Sequence, residues 1–252
     1  MAACAYCDQD RPPTREHIWP DWLLNATDYP VAYLARANKI VGKNQTIRDV
    51  CAVCNNGPLS GLDSYVRGLY DAYIRHWVVE GQVVDFRYNH GQLLRWLLKV
   101  AYNSARTTGQ DAALLAKYRQ VLIAEDPCTP LFAFGFVGTV MPAHVMDPGA
   151  TRFRRVNPQG ARCGRLMFRG LAPDARYAMR FTSINNYWFS LLVIDDMTLD
   201  PETAIGLAQR LYGVPLTPDG RTRIPAPRLN ALQAMQGVES WLGLAEANQV
   251  RR

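Results

Sequence analysis

Residues 4–7 read Cys4-Ala5-Tyr6-Cys7, residues 15–20 read Arg15-Glu16-His17-Ile18-Trp19-Pro20, and residues 51–57 read Cys51-Ala52-Val53-Cys54-Asn55-Asn56-Gly57. Two C-x-x-C pairs set far apart in the chain have the spacing of a four-thiolate zinc site. Each pair makes a tight knuckle, and one ion collects four thiolates only if the two segments meet. A structural zinc on Cys4, Cys7, Cys51 and Cys54 is therefore expected to act as a clip. The first pair lies just before Glu16-His17, and Cys54 is followed directly by Asn55, so the clip should gather those residues as well. Disulfides are the weaker alternative. No apolar signal segment opens the chain, a cytoplasmic location is expected, and cytoplasmic thiols stay reduced. Cys128 and Cys163 stand outside this pattern and read as buried free thiols.

A His beside a carboxylate suits metal-assisted cleavage of phosphodiesters. Neutral imidazole, with an ordinary pKa near about 6.5, takes a proton from water at physiological pH. Glu16 supplies the hard anionic oxygen that Mg²⁺ or Mn²⁺ prefers. Adjacent side chains of a strand project to opposite sides. His17 would then activate water on one side of a phosphate while a metal on Glu16 neutralises the leaving oxygen on the other.

The combination of Cys4-x-x-Cys7, Glu16-His17-Ile18-x-Pro20-x-Trp22-Leu23, Cys51-x-x-Cys54-Asn55-Asn56-Gly57 and Ser60-x-Leu62-Asp63 resembles the ββα-metal site of HNH endonucleases, and within them a bacterial subgroup. The resemblance covers about the first quarter of the chain. It implies His17 as general base, Glu16 as ligand of a catalytic Mg²⁺ or Mn²⁺, and Asn55 as second ligand where many members carry His. An amide oxygen at that position shifts preference away from Zn²⁺. It also implies an Asn that orients the base: Asn44 is the candidate, with Asn38 competing. Leu59 and Pro58 depart from the pattern, since some members have a third ligand and an aromatic there. Asp63, two helical turns past Asn56, is placed to serve as an outer group on the same side. The run Trp96-Leu97-Leu98-Lys99-Val100-Ala101 is similar to a helix that follows in that subgroup.

The rest of the chain predicts an α+β fold without a membrane span, at 48% hydrophobic and 20% charged residues. We expect a zinc-clipped unit over 1–80, a helical extension over 81–127 and an α+β region over 128–252. In the first, Thr14–Ile18 reads as a strand, Asp21–Leu24 as a helical turn, and 39–41 or 46–50 as the return strand. A helix follows from about Asn55, with Pro58 in its first turn and Leu59, Leu62, Val66, Leu69, Tyr73 and Trp77 on its apolar stripe. His76 reads as a helix-end cation, and His90 and His144 as turn and connection residues. Gln92–Arg106 reads as an amphipathic helix ended by Gly109, and Asp111 as the cap of a helix running to about Ile123. Strands are expected over 132–140, 165–171, 176–184 and 187–194, with a turn at Asn185-Asn186. Asp200-Pro201-Glu202 caps a helix, 215–227 forms a surface connection, and 228–248 forms a final helix.

Charge separates the two halves. The chain carries +6 overall, yet residues 151–180 hold eight arginines against the single acid Asp174. The planar guanidinium fork matches phosphate oxygens, so Arg165, Arg169 and Arg176 are candidates for gripping DNA. Three readings remain open: a metal-dependent endonuclease acting on DNA, a zinc-stabilised nucleic-acid-binding protein without hydrolysis, and a reuse of the scaffold for other chemistry.

Overall fold

The computed structural model describes residues 3–26, 31–34, 39–42, 46–124, 132–146, 153–156, 160–166, 168, 176–195 and 199–230. Asn38, Asn44, Cys128, Arg169, Asp174 and, of the final helix expected over 228–248, residues 231–248 lie outside them. The architecture is α+β, with helices packed on small antiparallel sheets. Among the described residues no helix is long and apolar enough to cross a membrane.

Strand β1 (Pro13–His17) pairs antiparallel with β4 (Thr46–Cys51), setting Pro13 opposite Cys51 and His17 opposite Thr46, with an irregularity between Thr14 and Glu16. The return strand is therefore 46–51. The other candidate, β3 (Lys39–Gly42), pairs with β2 (Val31–Leu34) in a hairpin of its own. Between β1 and β2, α1 (Asp21–Ala26) begins directly after Pro20. Cys51 leads into the short helix α2 (Ala52–Cys54) and a π turn over Asn55–Leu59. The chain kinks at Gly57, where ψ is −107°, and Pro58 opens the next segment, where its missing N–H costs no hydrogen bond.

Helix α3 (Ser60–Leu69) buries Leu62, Val66 and Leu69, as the apolar spacing predicts. The expected stripe then fails. A second π turn over Tyr70–Ile74 advances the phase by about a residue. Ile74 and Val78 consequently take the core positions, at 1% and 5% exposure, and Trp77 is turned out to 37%.

The centre of the molecule is α4 (His90–Thr108), capped by the Asn89 side chain on the Gln92 amide and ended by Gly109 at φ 78°. His90 is thus the first helical residue and not a turn residue. The helix is also not amphipathic in the expected sense. Every residue from Leu93 to Ala105 is buried, including Arg95, Lys99, Asn103 and Ser104. One side of α4 faces β1 and α3. The other lies on a five-stranded sheet ordered β12-β6-β11-β10-β9, where β6 is Ala133–Thr139, β9 Ala161–Arg165, β10 Tyr177–Ile184, β11 Tyr187–Ile194 and β12 Val214–Pro215.

Both faces of this sheet are covered, so β10 and β11 are buried along their whole length. Period-2 alternation sends Ala178, Phe189 and Leu191 towards α4. Tyr177, Met179, Phe181 and Trp188 join the opposite cluster with Leu207 of α7 (Pro201–Ala208). Asp200 caps α7 by accepting from the Thr203 amide. The tight turn at Asn185-Asn186 is present, with Asn185 at φ 51°.

Three expectations are corrected here. The helix expected over 111–123 is two short helices, α5 (Ala112–Ala116) and α6 (Arg119–Ile123); Asp111, at φ 62°, makes no cap bond because its carboxylate serves an ion pair. The strand expected over 165–171 begins earlier, as β9. The connection over 215–227 contributes strands: Pro215 sits on the sheet's edge, where no ladder donor is needed, and β13 (Arg221–Ile224) pairs with β5 (Val84–Arg87). One hydrophobic cluster runs from Cys4 through α4 to Ile224, joining all three expected regions.

Candidate active site

The four cysteines come together as their spacing requires. Their sulfurs all lie within 4.8 Å of one another, Cys7 Sγ is 3.8 Å from Cys51 Sγ, and none is in a disulfide. A tetrahedron with Zn–S bonds of about 2.3 Å has S···S edges of about 3.8 Å, so the cluster fits zinc. The Cys51 amide donates to Cys4 Sγ at 3.3 Å. Burial raises the Cys4 thiol, but backbone N–H donors from Cys51, Cys7 and Tyr6 outweigh it and bring it down to about 6. Burial pushes the Cys54 and Cys7 thiols up, the condition that a bound cation relieves.

Close by, a groove of about 240 Å³ is lined by Glu16, His17, Pro20, Asp21, Trp22, Asn55, Asn56, Ser60, Asp63, Ser64 and Arg67. The structure therefore brings Glu16, His17 and Asn55 into one concavity. Asn55 is oriented from β1: its Nδ2 donates to Thr14 Oγ1 at 2.9 Å and to the Arg15 carbonyl at 3.0 Å. With both amide hydrogens engaged, Oδ1 is the atom left to a ligand. His17, with 30% of its side chain exposed, has Nε2 at 3.4 Å from Asp21 Oδ1.

Glu16 is held from α4. Its carboxylate, 3% exposed as a residue, lies with Oε1 at 3.0 Å from Lys99 Nζ and accepts from Asn103 Nδ2 at 3.2 Å. Among the described residues both contacts fall on Oε1, which leaves Oε2. Lys99, at 1% exposure, also reaches Asp63 Oδ2 at 2.6 Å, and Trp96 Nε1 donates to Asp63 Oδ1 at 3.0 Å. Asn103 extends the network in the other direction. Its Nδ2 also meets the His17 carbonyl at 3.4 Å, while its Oδ1 accepts from Tyr6 Oη at 2.5 Å and Arg106 Nη2 at 2.6 Å. Tyr6 lies inside the first cysteine knuckle, so one amide joins the zinc cluster to the Glu16-His17 pair. Arg106 in turn pairs with Asp49 on β4 and stacks over Tyr6 and Tyr102.

Sequence reasoning missed Asp21, Lys99, Asn103 and Arg67 as parts of this site. Trp96, Lys99 and Asn103 do recur at i, i+3 and i+7, a polar stripe within an apolar helix, and that was the available signal. Of the arginine candidates, Arg165 and Arg176 do not line the groove. Arg165 and Arg180 both pair with Asp111, each at 3.2 Å, and Arg180 is 2% exposed and also donates to Ser104. Burial lowers the Arg180 pKa and the Asp111 carboxylate opposes that shift. Arg176 is exposed, and Arg169 lies outside the described residues.

No protein-family model matches the chain, and comparison with curated proteins and with solved structures returns no match.

Proposed function

We propose that the chain is a metal-dependent endonuclease of the HNH type, hydrolysing DNA phosphodiester bonds at the groove, with a structural Cys4 zinc and a ββα-metal unit made by β1, β4 and the helical turns from Ala52. The observation that carries this reading is that consecutive Glu16 and His17 end a strand clipped beside a cysteine cluster and share one groove with Asn55. His17 takes the proton of the attacking water at Nδ1, and Asp21 Oδ1, 3.4 Å from Nε2, favours a proton on that other nitrogen. Glu16 Oε2 and Asn55 Oδ1 are hard oxygen donors suited to Mg²⁺ or Mn²⁺. When bound, such an ion would supply charge neutralisation at the leaving oxygen. Lys99 and Asn103 keep the Glu16 carboxylate in place, and Asn103 fixes the backbone of His17.

The test is cleavage of supercoiled plasmid with added Mg²⁺ or Mn²⁺. His17→Ala should lower the rate by about 10²–10⁴-fold, the usual contribution of a general base, with zinc content and melting unchanged. Undiminished nicking by that variant would sink the assignment. A second reading, a zinc-stabilised nucleic-acid-binding protein without hydrolysis, is favoured by one observation: an ammonium already sits against Glu16 Oε1. Absence of metal-dependent cleavage by wild-type protein that still binds duplex would decide for it.

A further inference from the structure

The groove holds carboxylates from Glu16, Asp21 and Asp63, and a polyanion entering it needs a cation that is not already neutralised. Lys99 does not qualify, being buried and shared between Glu16 and Asp63. The arginines of the sheet do not line the groove, and Arg165 and Arg180 are committed to Asp111. Arg67 remains.

Its freedom has a structural cause. On a helix the residues able to neutralise Arg67 stand at i−4 and i+4, and here both are acids: Asp63 and Asp71. Asp63 is turned inward to Lys99 and Trp96, and Asp71 pairs with Arg75 at 4.0 Å. Among the described residues no carboxylate pairs with Arg67, which is exposed on the groove wall. Ser60, Ser64 and Arg67 recur at i, i+4 and i+7 on α3 and all three line the groove, with the serines exposed too. They present two hydroxyls and a guanidinium fork on one helical face, in the groove that His17 and Asp21 also line. Hydroxyl donors one and two turns along the helix from a planar cation that has no carboxylate partner among the described residues suit a phosphodiester, whose oxygens accept two parallel N–H bonds from Arg.

We infer that Ser60, Ser64 and Arg67 form the phosphate-binding face of the groove and hold the nucleic-acid backbone against the Glu16-His17 wall. The inference rests on the endonuclease reading for the identity of its ligand. Arg67 is a substrate-binding residue on this account, and the arginine strands are not needed to present the scissile phosphate.

The experiment measures binding apart from cleavage. Zinc-loaded full-length His17→Ala protein is titrated into a short fluorescent DNA duplex without added Mg²⁺, over a series of salt concentrations. Arg67→Ala in that background should weaken binding about tenfold and reduce the slope of log K against log salt by about 0.9, the loss of one phosphate contact. Arg67→Lys should keep the slope, because the charge remains, and lose part of the affinity with the fork. Ser60→Ala with Ser64→Ala should weaken binding without changing the slope. Exposed positions on α3 should leave melting unchanged in all of them. Equal affinity and slope in Arg67→Ala would overturn the inference, whether or not the wild type cleaves. Displacement of the duplex by inorganic phosphate at matched ionic strength and submillimolar concentration would also overturn it, by marking a site for free phosphate. Arg67-dependent binding by a wild-type protein that never cleaves would uphold this inference and sink the endonuclease reading alone.

Discussion

Lys99 is the residue on which the site turns. An ammonium at 1% exposure, held 3.0 Å from Glu16 and 2.6 Å from Asp63, is compensated by two carboxylates that are themselves largely out of water. Breaking a buried pair from one side leaves uncompensated charge and costs about 3–5 kcal/mol. Lys99→Met should therefore lower stability by about that much in urea unfolding, at full zinc occupancy. An unchanged midpoint would mean the two carboxylates find solvent and are not held by α4. Glu16→Ala is expected to act differently, by shifting the Mn²⁺ dependence of cleavage to higher concentration. An identical Mn²⁺ curve would count against Glu16 as a ligand.

At the scale of elements, α4 is a buried helix with a polar edge. Trp96, Lys99, Asn103 and Arg106 project from one side onto Asp63, Glu16, Tyr6 and Asp49, which belong to α3, β1, the first knuckle and β4. The helix thereby holds both strands of the hairpin and the wall of the groove in one frame. Asn103 is the joint, since a single amide bonds Tyr6, Arg106, Glu16 and the His17 backbone. Asn103→Leu keeps the volume and removes these bonds, at a cost of about 1–3 kcal/mol for each buried group left without its partner. Urea unfolding of the zinc-loaded variant measures the sum. A midpoint equal to that of wild type would show that the knuckle and the Glu16-His17 pair are not joined through this residue.

Across the whole molecule, the cysteine cluster ties the chain's start to the strand that pairs with β1. Besides the four sulfurs, the Ala5 amide donates to the Asp49 carbonyl at 2.8 Å, and Tyr102 Oη donates to the Ala5 carbonyl at 3.2 Å. Zinc binding in small zinc domains is worth about 10–16 kcal/mol in apparent free energy, so the metal's loss should reach the hairpin and its groove together. One zinc per chain by atomic spectroscopy is expected. Chelation should lower melting and expose the β1–β4 amides to hydrogen exchange. Acid acts the same way, because protons compete for thiolates: affinity for zinc falls with pH, first through the Cys7 and Cys54 thiols that burial raises and then, below about 6, through Cys4 as well. Zinc content unaltered by acid, or exchange protection unaltered by chelation, would contradict a clip.

The cysteine pairs, the Glu16-His17 strand, the Asn55 position and the alternating strands were legible in the sequence, because spacing and period are local properties. Register was half legible: two segments qualified as the return strand, and only pairing with Pro13–His17 selected Thr46–Cys51. The phase of the helical run after Leu69 was not legible, since a π turn changes which residues face the core without leaving a compositional mark. Nor was the fate of the charges. Eight arginines in thirty residues read as a positive face; of these, Arg165 and Arg180 are drawn onto the Asp111 carboxylate, the latter from a strand covered on both sides. Lys99, Asn103 and Arg67 entered the site only through packing. Which polar side chain meets which is fixed by contacts between residues distant in the chain, and no window of sequence contains both partners.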